Sequence, residues 1–169
     1  MNMADEYRDI FDVNRSPTGR LQKRGTPIQD GDFITGVACW ILNSTGEFLI
    51  TRRALDLAWA PGMWGVPGGA VLSGEDSLTA AIREANEETG ITLDPNCAEM
   101  FVTCIIDHVF IDHWLFRQEF DLSALVLQVE ETIDARAAAY AEITQMIEQG
   151  EFIRDDDPAL NDFLKAVSQ

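Results

Sequence analysis

Glu84, Glu87 and Glu88 sit within one five-residue stretch, Glu84-Ala85-Asn86-Glu87-Glu88, that reads as the end of a helix. Residues three and four apart share a helix face, so the three carboxylates project together. Glu84 and Glu88 form a like-charge i,i+4 pair, which costs about 0.2–0.5 kcal/mol. Each anion also stands near the negative end of the helix dipole and loses about 0.3–1 kcal/mol there. Arg83 can offset one of them, for example Glu87 at i+4, but not the cluster. A local rule broken in this way marks a functional site. Convergent carboxylates are hard oxygen ligands suited to Mg2+ or Mn2+. The competing reading is a solvated acidic face in an acidic protein.

Just upstream stand Gly68-Gly69 and then Glu75. Paired glycines let the backbone come close to a ligand and expose a carbonyl or N–H to it. Glu75 falls near the helix start, where a carboxylate is favoured by the dipole alone; it could also orient Arg83 or a metal-bound water.

These residues need elements to hold them. Leu78, Ala81, Ile82 and Ala85 recur at helical spacing, which predicts a helix from about Asp76 to Thr89 stopped by Gly90. Phe33 to Leu42 reads as a buried strand, Asn43 to Gly46 as a turn, and Glu47 to Arg52 as the partner strand with Phe48 and Ile50 on one face. Residues 53–69 read as a loop. Met100 to Ile106 and Val109 to Asp121 read as adjacent strands, and Ile133 to Tyr140 as another. Glu142 to Gln149 predicts a helix. Asp157-Pro158 opens a last one, with Asp as N-cap and Pro in the first turn. The irregular order favours an α+β or layered α/β/α sandwich over a doubly wound parallel sheet. Residues 1–32 are polar, carry turn signals, and read as an arm or hairpin packed on a domain spanning 33–169.

The chain has 169 residues, 46% of them hydrophobic, enough for one domain with a sizeable core. Twelve basic residues face 29 acidic ones, for a formal net charge of -17. That argues against a nucleic acid polymer as partner and disfavours an anionic membrane. A phosphorylated substrate would be repelled as well, unless a cation stands between it and the protein. No apolar run has the length of a bilayer span, and Met1 to Glu6 lacks the basic and apolar character of a leader. Cytoplasmic placement is therefore expected. Cys39 and Cys104 sit in apolar runs and read as small buried hydrophobes.

From Gly69 through Glu75 to Arg83-Glu84-Ala85-Asn86-Glu87-Glu88-Thr89-Gly90-Ile91 the chain resembles the Nudix box, G-x5-E-x7-R-E-U-x-E-E-x-G-U, where U is aliphatic. All seven strictly specified positions are filled, and Ala85 is smaller than the usual aliphatic. Trp64-Gly65-Val66-Pro67-Gly68-Gly69 is similar to the family's usual lead-in. Residues 5–32 more weakly resemble the N-terminal extension of the subgroup related to isopentenyl diphosphate isomerase.

The resemblance implies a mixed β-sheet sandwiched between α-helices. It implies Mg2+- or Mn2+-dependent hydrolysis of a diphosphate linkage in a nucleoside diphosphate derivative or similar small phosphorylated compound. Glu84, Glu87 and Glu88 become the metal-binding glutamates, Gly68 lends its carbonyl, and Arg83 with Glu75 form a supporting ion pair. A late-loop carboxylate, Glu130 or Glu131 with Glu119 behind, completes the set; Glu131 is the expected one. Glu84 is the expected general base and Glu131 the alternative. Trp59, Trp64, Trp114 and Phe116 are candidates for stacking on a base, against plain core packing. Arg52 and Arg53 are candidates for holding phosphate, against a solvated strand end. Two rivals remain. An allylic diphosphate isomerase needs a cysteine near the box, and Val66 to Ser73 contains none. A catalytically silent nucleotide-binding module would be expected to have lost box carboxylates, which this chain keeps. The sequence leaves a homodimer open.

Overall fold

The structure, a computed structural model, describes residues 6–153 and 157–168. Residues 1–5, on which much of the leader reading rested, lie outside the described part, as do 154–156 and 169 of the expected domain. Along the chain run β1 (Tyr7–Phe11), β2 (Pro17–Lys23), β3 (Ile34–Leu42), β4 (Glu47–Arg53), β5 (Trp64–Gly65), β6 (Gly68–Ala70), α1 (Ser77–Thr89), β7 (Ala98–Ile106), β8 (Val109–Arg117), β9 (Thr132–Ala139), α2 (Tyr140–Glu148) and α3 (Pro158–Val167).

β1 and β2 form an antiparallel hairpin. The main sheet is mixed: β3 runs parallel to β8, while β7 is antiparallel to β8 and β9 to β4. β3 and β4 pair only beside their shared turn, at Leu42 and Phe48. Further along they splay, and the segment from Trp64 to Ala70 fills the gap, with β5 on β4 and β6 on β3. That wedge delivers Gly68 and Gly69 to the middle of the sheet.

Strand alternation then sorts the core into two layers. Val37, Cys39 and Ile41 of β3 and Leu49 of β4 pack beneath α1 against Ala80, Ala81 and Ala85. Trp40, Leu42, Phe48 and Ile50 face the opposite way, toward Ile143 and Met146 of α2 and Leu160 and Leu164 of α3. This is the expected α+β sandwich of a mixed sheet between helices. The alanines of α1 let its backbone sit close to the sheet, so that the Cys39 thiol donates to the Ala81 carbonyl at 3.2 Å. Cys39 and Cys104 are both buried, as their apolar runs predicted.

Several boundaries differ from expectation: residues 53–69, read as a loop, hold β5 and most of β6, and β7 starts at Ala98 rather than Met100. β8 stops at Arg117 rather than Asp121, because Asp121 caps a 3-10 turn by accepting from the Ser123 N–H. α2 begins at Tyr140 rather than Glu142, since β9 runs straight into it without a side-chain cap. Among the described residues no helix is long and apolar enough to cross a membrane.

Candidate functional site

α1 positions the carboxylates. Its start is fixed by Asp76, whose side chain accepts from the Thr79 N–H at 2.8 Å, and its end by Gly90 in the left-handed conformation. Between these caps the buried stripe is Ala80, Ala81, Ala85, Glu88 and Thr89. An acid has therefore been placed in a buried stripe made otherwise of alanines and one threonine.

Glu88 is 6% exposed. One of its oxygens accepts the Gly68 N–H at 3.3 Å and the other the Thr132 hydroxyl at 3.2 Å. Alternation explains the first partner. Pro67 and Val71 spend backbone groups on Cys39 and Thr35 of β3, so the peptide groups of Gly68 turn the other way. Burial pushes the Glu88 carboxyl up to about 8; Glu84 and Glu131 push it the same way, against the Gly68 and Thr132 hydrogen bonds.

Glu84 is half-buried one turn earlier, and its carboxylate occupies the space that a Cβ on Gly69 would fill. Burial raises its pKa as well, opposed by Arg83 and reinforced by Glu87 and Glu131. Arg83 binds Glu75 through two hydrogen bonds of 2.9 Å, Glu84 at 2.8 Å, Glu87 at 3.0 Å and the Ala70 carbonyl at 2.9 Å. The expectation that Arg83 offsets a single glutamate is thus corrected: its planar fork reaches three at once. Burial works against the Arg83 charge, and Glu75 and Glu84 outweigh it, so the guanidinium stays charged.

The three box glutamates do not form one matched set. Glu84 and Glu88 turn inward, whereas the Glu87 side chain is 52% exposed at the helix edge. Among the described residues no three acids are drawn into a finished cation cage; Arg83 holds Glu84 and Glu87 by the same nitrogen, Nη1. The donor chemistry nevertheless fits a hard divalent ion. Burial and neighbouring acids raise the proton affinity of both carboxylates, and the bare Gly69 leaves the space that Glu84 occupies: a side chain at position 69 would displace it.

Of the late carboxylates, Glu131 is the one whose charge is felt by both Glu84 and Glu88. Its carbonyl accepts the Ala54 N–H, which ties the end of β4 to the start of β9. Glu130 is exposed. Glu119 lies elsewhere, accepting the Ser44 N–H at 2.7 Å beside the β3–β4 turn.

Arg52 and Trp64 are corrections. Arg52 shares the face of Phe48 and Ile50, away from α1, and its Nε donates to the Gly62 carbonyl at 3.0 Å. Trp64 packs against the α2–α3 layer with the Arg136 guanidinium 5.0 Å from its ring centre. The period-two rule puts Arg53 on the site face instead, where it is partly desolvated and feels Glu88 and Glu131. Arg53 also lies 5.0 Å over the Trp59 ring and donates to the Trp59 carbonyl at 3.1 Å. Trp59 is 60% exposed, so it is free to meet a ligand. Phe116 is wholly core, and Trp114 packs under α1 with its indole N–H on Ser77 at 3.3 Å.

Sequence reasoning missed Thr132. Thr132 partners Glu88 across 44 residues, which no local pattern signals. Concavity is not the guide here either: a cavity of about 670 Å³ lies against the β1–β2 hairpin and includes none of the box carboxylates.

Comparison with known proteins converges on one family. The NUDIX domain profile matches residues 32–158. The Nudix hydrolase lmo0368 of Listeria monocytogenes is 34% identical over 149 residues, covering 88% of each chain. The isopentenyl-diphosphate Delta-isomerase of Shigella flexneri is 34% identical over 95 residues, 55% of this chain and 52% of that one. The crystal structure of DR0079 from Deinococcus radiodurans superposes with a TM-score of 0.76 over 97% of this chain and 100% of that one, at 19% identity.

Proposed function

The chain belongs to the Nudix hydrolase family, and on that premise we propose that this Nudix-type pyrophosphohydrolase uses Mg2+ or Mn2+ to split the diphosphate linkage of a nucleoside diphosphate derivative or similar small phosphorylated compound. One observation carries the metal dependence. Glu84 and Glu88 are held inward beside each other with raised proton affinities, an arrangement relieved by positive charge. Glu84, Glu88 and Glu131 would hold the ion, with Glu87 at the rim and the Gly68 carbonyl as a neutral ligand. A divalent cation bound there supplies charge neutralisation for the diphosphate and acidifies the attacking water.

Glu84 is the general base: it accepts the proton of the water that attacks phosphorus in line, while the bridging P–O bond breaks and the leaving phosphate departs. Glu131 is the alternative base. Arg83 and Glu75 fix the Glu84 oxygens; Arg53 and the exposed face of Trp59 offer a phosphate contact and a stacking surface for a base.

An isomerase reading finds no support at the cysteines. Cys39 is fully buried with its thiol on a backbone carbonyl, and burial pushes the thiol pKa well up. A silent binding module is disfavoured by the retention of every box carboxylate. The partner class is a small phosphorylated molecule, in the cytoplasm, rather than a nucleic acid polymer or membrane.

The test is a panel of nucleoside diphosphate derivatives and sugar nucleotides assayed with Mg2+, with Mn2+ and with chelator. Metal-dependent release of phosphate-containing products from at least one supports the reading. No turnover across the panel, with isomerase activity instead, overturns it.

A further inference from the structure

The N-terminal hairpin presents charge to the carboxylates. Cross-strand partners share a face, and β1 pairs Arg8 with Gln22 and Tyr7 with Lys23. Arg8 therefore lies on the same face as Ile10 and Gln22, both buried, and this is the inward face of the hairpin. Arg24 continues that face one step on, with its N–H on the Glu6 carbonyl and its guanidinium 2.7 Å from the Glu6 carboxylate.

The hairpin is fastened to the stretch that carries Glu75. The Ser73 N–H donates to the Tyr7 carbonyl at 2.8 Å, and Asp9 accepts from the Ser73 hydroxyl at 2.9 Å and the Gly74 N–H at 3.0 Å. At its far end Arg15 grips Asp112 through two hydrogen bonds. So docked, the inward face lies by the box: Arg24 Nη2 is 3.8 Å from Glu131. The charge of Glu84 reaches both Arg8 and Arg24.

Arg8 is the unusual member. Its Nε is buried without a hydrogen-bond partner, and among the described residues its guanidinium makes no hydrogen bond or close ion pair, feeling Glu6 and Glu84 only at longer range. Were Arg8 simply neutralising the glutamates, it would sit in an ion pair as Arg83 does. A partly desolvated guanidinium with an unused donor is costly unless something answers it. In a chain with 12 basic and 29 acidic residues, two cations converging beside one acidic cluster call for an anionic ligand.

We propose that Arg8 and Arg24 form an anion-binding half of the site, taking the oxygens of a terminal phosphate that the carboxylate side cannot approach, so that the chain prefers substrates with a free terminal phosphate over diphosphates capped at both ends. The geometry suits a guanidinium fork, which matches phosphate oxygens in pairs. The inference rests on the metal-dependent reading above.

Isothermal titration separates the two. Mn2+ alone is titrated into metal-free protein, and inorganic pyrophosphate is then titrated at saturating Mn2+, for wild type, Arg8→Gln, Arg8→Lys, Arg24→Gln and the distant surface variant Lys165→Gln. The expected result is Mn2+ binding kept in every variant. Pyrophosphate affinity falls about tenfold or more in Arg8→Gln and Arg24→Gln, is partly recovered in Arg8→Lys, and is unchanged in Lys165→Gln. Pyrophosphate bound by Arg8→Gln and Arg24→Gln as tightly as by wild type, with Mn2+ binding intact, overturns the proposal and leaves the metal reading standing. A wild type that takes up no Mn2+ overturns both. Thermal melts of each variant identify one that has lost its fold, and Arg8→Lys then decides for that position: affinity equal to wild type there removes any role for the fork.

Discussion

Arg83 and Glu75 meet head to head, Nε to Oε1 and Nη2 to Oε2, each at 2.9 Å, and the remaining nitrogen of the fork is carried onto Glu84. The pair spans from the loop before α1 to the middle of the helix, so it holds the Arg83 guanidinium in place against Glu84. Glu75→Gln keeps an acceptor but loses the charge. Activity should fall by about 10–100-fold, the range seen when such supporting partners are removed, with a higher metal concentration needed for half-maximal rate. Steady-state assays across a Mg2+ titration check this; an unchanged metal dependence contradicts it.

Gly69 makes room for the Glu84 carboxylate, which overlaps the position of a Cβ there. Its backbone φ is not in the left-handed region, so Gly69→Ala introduces no backbone strain. The substitution should leave the far-UV circular dichroism intact, displace Glu84, and weaken Mn2+ binding. Binding equal to wild type would show that the close approach has no role.

The Glu88 carboxyl is raised to about 8 from an ordinary 4.5, with burial as the main cause. Between those values the folded, metal-free protein binds more protons at this residue than the unfolded chain, so stability falls as pH rises through the window. Glu88→Gln should remove that part of the decline and raise the melting temperature of metal-free protein near pH 8. The same variant should lose stabilisation by Mn2+. Melting curves from pH 5 to 9, with and without metal, provide the comparison; identical slopes for wild type and variant would sink it.

Much of this site was legible in sequence because its parts are local. Helical spacing, the Gly90 stop and the clustered acids all lie within about one box, and α1 came out within a residue of expectation, with Asp76 serving as its N-cap rather than its first residue. What stayed hidden depends on long-range placement. Glu131 and Glu119 look alike as sequence, yet one is tied to Ala54 beside the carboxylates and the other to Ser44 at a turn. Arg52 and Arg53 are neighbours, and only knowing which face of β4 meets α1 tells them apart. The splaying of β3 from β4 has no local signature, because the wedge at Trp64 to Ala70 carries too few residues per strand to show a period.

Arg15 and Asp112 tie the hairpin to β8, and the Asp112 side chain is only 1% exposed. Burial works to raise the Asp112 pKa, but hydrogen bonds from Arg15, Thr103 and Ser77 outweigh it and hold it below the usual range. Arg15→Ala would leave that acid short of its cation, at a cost of about 1–3 kcal/mol. Urea denaturation should show a lower midpoint with a similar slope. No shift in midpoint would mean that Thr103 and Ser77 suffice.

The most direct measurement of the central claim is Mn2+ binding to metal-free protein, followed by electron paramagnetic resonance, for wild type, Glu84→Gln, Glu87→Gln and Glu88→Gln. Wild type should take up at least one ion. Glu84→Gln and Glu88→Gln should lose most of that affinity, and Glu87→Gln should lose less, in keeping with its exposed position, while all three remain folded. Equal uptake by wild type and the Glu88→Gln protein would contradict the account, since the buried acid would then hold no ion.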